Sequence, residues 1–278
     1  MSTAAAKPPD PNARRRLSAG DYAELARAEL ATFVSMLESL GEADWSRPTP
    51  CTLWDVHGVA AHQAGHVQSG HGLLGVLAQA NPIALRAYRK RGMSTLDGMN
   101  QKQVDLRRDR TPAELIREIR DGTADAIAAR TRLNPISSQV RLPVPPAGMM
   151  PLRELLQRIF SRDMWIHRLD IADATGRPFD LAGEHNALML ALVVEDTARF
   201  LRKARPTANV ALHLSGAGGG DWQLASGEGT PVSLSLSVAD FVRRTGGRVP
   251  LDETAGRVSS GASAAELRPI LEALQAPY

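Results

Sequence analysis

The apolar residues of this chain change their period once, near Pro206, and that change limits the fold more than any other feature. Before it they recur at three- and four-residue steps, as in Leu25, Leu30, Phe33, Val34, Leu37 and Leu40, the spacing of one face of a helix. After it they alternate: Val210, Leu212 and Leu214, then Trp222 and Leu224, then Val232, Leu234 and Leu236. Period two with glycine-rich breaks is the mark of strands. A helical part is therefore expected to precede a small α+β part, with the domains at 21–204 and 205–278. Residues 1–20 form a Pro/Ala-rich basic tail, expected to be disordered. No internal repeat is present.

The element boundaries follow from local signals. Helices are expected over 21–40, over 54–77 with interruptions at Gly65, Gly70 and Gly72, and weakly within 82–110. Thr111, Pro112 and Glu114 read as N-cap, first position and capping-box partner of a helix reaching about Leu133. Four prolines make 134–150 a loop. Further helices are expected over 152–175, ending at Gly176, and over 184–203. In the last part a short helix is expected over 238–245, a strand over 257–259 and a terminal helix over 264–274. The run Gly216 to Gly220 lacks the Lys-Ser/Thr of a phosphate loop and reads as a hairpin turn.

Composition excludes several classes. With 43% hydrophobic and 23% charged residues the chain can bury a core. No apolar run approaches the roughly 20 residues of a membrane span, and no membrane partner is expected. The tail carries Lys7, Arg14, Arg15 and Arg16 against Asp10, which equals the formal net charge of +3 of the whole chain. The body is thus neutral, and with 4% aromatic residues nucleic acid is not an expected partner. The single cysteine, Cys51, permits no internal disulfide and fits a cytoplasmic setting. No Lys or His is fixed beside it by sequence, which favours a small apolar plug over a reactive thiol.

The chemistry-bearing residues fall in two places. His57, His62, His66 and His71 lie within fifteen residues, and His62 and His66 share a helix face. Asp163 and His167 are also four apart, on a later helix. A bundle builds metal sites in this way, from inward-pointing side chains of facing helices. Two ligands from one helix and one from another leave an open coordination position, as a catalytic metal requires. On the residues alone, ordinary ion pairs or satisfied core histidines remain the competing explanation. Asp170 could orient His167 or pair with Arg168 or Arg153, while Trp54 and Trp165 read as packing residues.

The stretch Pro48, Thr49, Pro50, Cys51, Trp54 and on to His62 resembles the start of the mycothiol-dependent maleylpyruvate isomerase family, within the DinB-like metal-binding bundles. Asp163, His167, Arg168 and Asp170 match its second element. The resemblance covers about residues 21–275 and implies an α+β fold: a DinB-like up-down four-helix bundle followed by a small sterol-carrier-like α+β domain. It also implies that His62, Asp163 and His167 hold a divalent metal, with zinc the expected ion. The family's usual carboxylate is Glu; Asp163 is shorter by one methylene, and His66 is then a possible substitute ligand. The implied cosubstrate is the thiol mycothiol and the implied partner a small electrophile. The activity would be cis-trans isomerisation or thiol S-transfer, with the protein a monomer or homodimer. Gly247-Arg248 resembles a family element whose arginine binds a substrate carboxylate, so Arg248 is the candidate catalytic residue, against a plain surface arginine. The alternative is a non-catalytic small-molecule-binding protein that keeps the bundle.

Overall fold

The structure, a computed structural model, describes residues 17–144 and 148–276. The basic-tail expectation for residues 1–16 lies outside them; the rest of that stretch is ordered into the first helix. The described chain forms two compact units, 17–179 and 180–276.

In the first unit, α1 (Ala19–Glu38) starts at a capping box: Ser18 Oγ accepts from the Asp21 amide, and the Asp21 carboxylate accepts from the Ser18 amide. The helix expected over 54–77 is two helices. α2 (Val56–Gly70) is capped by Asp55 and stops at Gly70, and α3 (Leu73–Gln79) follows Gly72, whose φ of 141° no other residue adopts easily. The weak region resolves into α4 (Arg86–Lys90) and α5 (Thr95–Asp105). α6 (Pro112–Thr131) has the expected Thr111–Glu114 capping box with Pro112 in its first turn.

Two findings differ from expectation between α6 and Gly176. The proline-rich loop contains a hairpin, β1 (Arg141–Val144) and β2 (Gly148–Pro151), isolated from any larger sheet. Both strands of a two-stranded ribbon are edges, where Pro143 and Pro151 are tolerated. Beyond it α7 (Leu152–Glu154) runs through a π-helical stretch, Leu155–Ile159, into α8 (Phe160–Thr175). Gly176, left-handed at φ 70°, ends the run as expected.

α1 and α2 each pack on both α6 and α8, which makes these four a bundle. Its core is drawn from all four, including Phe33, Leu37, Val59, Ala60, Leu115, Ile119 and Ile171. One polar link crosses it. Arg168 Nε and Nη2 donate to Glu29 Oε1 and Oε2 at 2.8 and 3.2 Å, both side chains being at most 1% exposed, and the guanidinium lies over Phe179.

The second unit opens with α9 (Glu184–Ala204), which was expected to belong to the bundle. It packs instead on the sheet and terminal helices of its own unit, so the division falls before it and not at 204/205. Periodicity identifies the apolar face of a helix but not the surface that covers it. The sheet has the order β4-β3-β5, from β3 (Asn209–Ser215), β4 (Gly220–Ser226) and β5 (Pro231–Ser237). β3 and β4 form the expected hairpin across Gly216 to Gly219, whereas β3 and β5 are parallel. The link from β4 to β5 passes so close to Thr207 that a Cβ at Gly227 would meet its backbone at 2.4 Å. α10 (Val238–Thr245) has the expected span; α11 (Leu251–Arg257) was not expected, because its sequence has almost no apolar period. The strand expected over 257–259 reduces to one bridge, Ser235 to Ser259. α12 (Ala264–Ala273) closes the unit.

Candidate metal centre

The centre grows from two helix faces. On α2, His62 and His66 point the same way, and the residues between and around them are small: Ala60, Ala61, Ala64 and Gly65. These allow neighbouring helices to come close. A Cβ at Gly65 would sit 2.3 Å from Cβ of Gln103 on α5, an approach that only glycine permits. On α8, Asp163 and His167 face α2. All of this is buried: the side chains of His62, Asp163 and His167 are at most 6% exposed, and that of His66 is 16% exposed. The side open to ligands is therefore the His66 side.

Asp163 is the hub. Its Oδ2 lies 3.3 Å from His62 Nε2 and 3.1 Å from His66 Nδ1, and its Oδ1 lies 3.7 Å from His167 Nε2. Gln63 Nε2 donates to Oδ2 at 2.5 Å. The three expected residues thus meet in one place despite the shorter aspartate, and His66 joins them. His62, His66 and Asp163 present ligand atoms all within 4.8 Å of one another.

The far side of each imidazole decides what its near side offers. His62 Nδ1 donates to Gln103 Oε1 at 2.9 Å, and His167 Nδ1 donates to Asp170 Oδ2 at 2.8 Å. With Nδ1 of each imidazole engaged from behind, Nε2 is the nitrogen that each presents to the Asp163 carboxylate. Burial, reinforced by the charge on His66 and against the pull of Asp163, lowers His62 to about 4, so it is neutral at pH 7. Burial alone would raise Asp163; His66 and His167, with hydrogen bonds from His62 and His66, outweigh it and hold the carboxyl well below its usual range. A divalent ion entering between these nitrogens and the carboxylate would displace any Nε2 proton and be held by all three groups. The donor set, two imidazole nitrogens and a carboxylate, is one that suits a divalent transition ion. Carboxylate or amide oxygens behind metal-binding imidazoles are their usual support.

The pH dependence follows from His62. Between pH 6.5 and about 4 the unfolded chain takes up a proton on His62 that the folded chain refuses. The metal-free protein is therefore expected to keep its stability above pH 6.5 and to lose up to about 3 kcal/mol as the pH falls through that window. Urea unfolding of chelator-treated protein at pH 7.5, 5.5 and 4.5 measures this, and His62→Gln should flatten the slope.

Aromatic rings wall the centre. Trp54, read from sequence as a packing residue, lies 4.8 Å from the His62 ring and 6.1 Å from that of His167, and its Nε1 donates to Gln101. Phe160 stacks on His66 at 4.7 Å and 9°. Trp165 is fully buried in the core as expected. Cys51 is half-buried against the bundle core, as a plug would be, yet its sulfur lies within 4.8 Å of ligand atoms of His167 and Asp170. Neither neighbour is close to it in sequence. Arg248 lies in the other compact unit, half-buried after α10, with Nη1 donating to the Gly246 carbonyl at 2.6 Å. Sequence reasoning missed Gln63, Gln103 and Phe160. Glutamine carries no charge or ligand signal, and only the close packing at Gly65 brings Gln103 to His62.

A family model described as the mycothiol maleylpyruvate isomerase N-terminal domain matches residues 4–172. Two solved structures are similar in fold: crystal structures of the mycothiol-dependent maleylpyruvate isomerase and of a histidine-to-alanine mutant of it. They are 20% and 19% identical to this chain, each with a TM-score of 0.56, and each comparison covers 88% of this chain and 93% of the other. A search of curated proteins gives no match. Among the described residues no helix is long and apolar enough to cross a membrane.

Proposed function

Since the chain belongs to the family of the mycothiol maleylpyruvate isomerase N-terminal domain, we propose that it is a metal-dependent enzyme that activates a low-molecular-weight thiol, mycothiol in the family's name, for attack on a small electrophile. The observation that carries this reading is the convergence of His62 Nε2 and His167 Nε2 on the Asp163 carboxylate, each imidazole held from behind through Nδ1. His62, Asp163 and His167 would hold the ion, zinc by the chemistry of the donor set, with His66 in reach as a further ligand. A bound divalent ion lowers the pKa of a coordinated thiol and makes the thiolate available at neutral pH.

The protein's own groups do the rest. Gln103 and Asp170 keep both imidazoles in the ligating tautomer. Gln63 holds one oxygen of Asp163 and keeps the carboxylate from turning away. Trp54 and Phe160 exclude water from two sides, which strengthens every charge interaction within. Arg248, in the other compact unit, keeps its candidate role as a two-pronged binder of a substrate carboxylate on the family resemblance alone. A thiolate adding to a cis double bond conjugated to a carbonyl makes that bond single; rotation and elimination return the thiol and leave the trans isomer. If elimination expels another group, the same site performs S-transfer.

The test is the metal content of protein purified without a metal-affinity tag, by elemental mass spectrometry, with thiol-dependent turnover of a cis-enoyl carboxylate followed in parallel. About one divalent ion per chain with turnover that needs both ion and thiol is the expected result. No bound metal after dialysis against zinc would overturn the reading.

A further inference from the structure

Arg130, in the last turn of α6, is 7% exposed, and among the described residues it has no carboxylate within ion-pair distance. Its Nε donates to the Gly70 carbonyl at 3.3 Å, and its guanidinium lies 5.3 Å from the centre of the Phe160 ring. Burial lowers its pKa to about 10, which leaves it charged at neutral pH. A buried charge without a counter-charge is costly, and an anionic ligand that supplies one offsets that cost.

Its surroundings say where that ligand enters. Arg130 lines a recess together with Glu29, Gln63, Thr123, Phe160 and His66, the most exposed member of the metal-site cluster. Glu29 adds no free negative charge, because Arg168 already holds its carboxylate at both oxygens. The recess has a volume of about 20 Å³, room for one water-sized group and not for a whole substrate. The Phe160 ring, stacked on His66 and faced by Arg130, ties the guanidinium to the open side of the centre.

We propose that Arg130 is an anion-binding group of this site and takes a carboxylate of the electrophilic ligand, one oxygen of which enters the recess. The inference rests on the proposed function and adds to it a second carboxylate-binding arginine, placed within the bundle and independent of Arg248. The competing role for Arg130 is structural, closing the C-terminal end of α2 through Gly70.

The test is calorimetric titration of the zinc-loaded full-length protein with maleate, and with dimethyl maleate as the neutral control. Arg130→Met is expected to weaken maleate binding by about tenfold to a hundredfold, the range of a hydrogen-bonded charge, and to leave dimethyl maleate unchanged. A purely structural arginine would lower the melting temperature and leave the maleate affinity within twofold, which overturns the inference; so does a wild type that binds both compounds alike. Should Arg130→Met not fold, Arg130→Lys carries the test. It keeps the charge and loses the fork, and is expected to lose about tenfold for maleate; an unchanged affinity overturns the inference. Thiol-dependent turnover in the same preparations separates the two readings. Maleate held through Arg130 without turnover defeats the proposed function alone. Turnover with an affinity indifferent to Arg130 defeats this inference alone.

Discussion

Replacing His62 by Ala is expected to take the bound metal from about one ion per chain to a trace, and to lower thiol-dependent turnover by at least about thirtyfold. The substitution removes one imidazole of a three-ligand centre, and His62→Ala combined with His66→Ala also removes the substitute ligand in reach. The effect on activity follows because without the ion a free thiol is only a few per cent thiolate at pH 7. His167→Ala should behave alike. Substitutions behind the ligands should act more weakly: Gln103→Leu and Asp170→Asn leave every ligand in place but release the tautomer, and about tenfold to a hundredfold in metal affinity is the expected loss. Elemental mass spectrometry, thiol-dependent turnover and a thermal melt on each variant measure these effects together. A His62→Ala protein that is folded, metal-free and fully active would contradict the assignment of the site.

The largest effect on stability is expected at Glu29. Glu29→Ala strips the buried Arg168 guanidinium of a carboxylate that holds it at two points. Breaking a buried pair by removing one partner costs about 3–5 kcal/mol, a large share of the 5–15 kcal/mol that holds a typical domain together. The pair itself is not indispensable. Replacing both partners, as in Glu29→Met with Arg168→Leu, should recover much of the loss, because the penalty comes from a buried charge that has lost its two-point carboxylate and not from the missing attraction. Urea unfolding of the three proteins, read on the helical signal, measures the difference. A Glu29→Ala protein within about 1 kcal/mol of wild type would mean that water reaches Arg168.

Much of this was legible in the sequence, and the reasons differ by element. The Thr111 capping box, the stop at Gly176 and the alternating strands are local codes, satisfied within a few residues of where they are written. The convergence of His62, Asp163 and His167 could be expected because four-residue spacing places each helix's ligands on one face, and the family resemblance paired the two helices. The hairpin at 141–151 could not be expected, since its prolines argue against a strand and its isolation from other strands is a tertiary fact. The place of α9 escaped for a related reason: its apolar face suits a bundle and a sheet equally well. The π-helical stretch and the burial of Arg130 leave no trace in periodicity. Arginine reads as a surface residue until the packing around it is known.

Gly65 has a consequence that reaches beyond packing. The absence of a side chain there lets Gln103 stand against α2, and Gln103 decides which nitrogen of His62 carries its proton. A methyl group at residue 65 would displace the amide without touching the imidazole. The bare backbone of one helix thus works as an electronic setting for its neighbour one turn away. Variation at this glycine would retune how strongly His62 gives its lone pair, while every ligand in the sequence stayed the same.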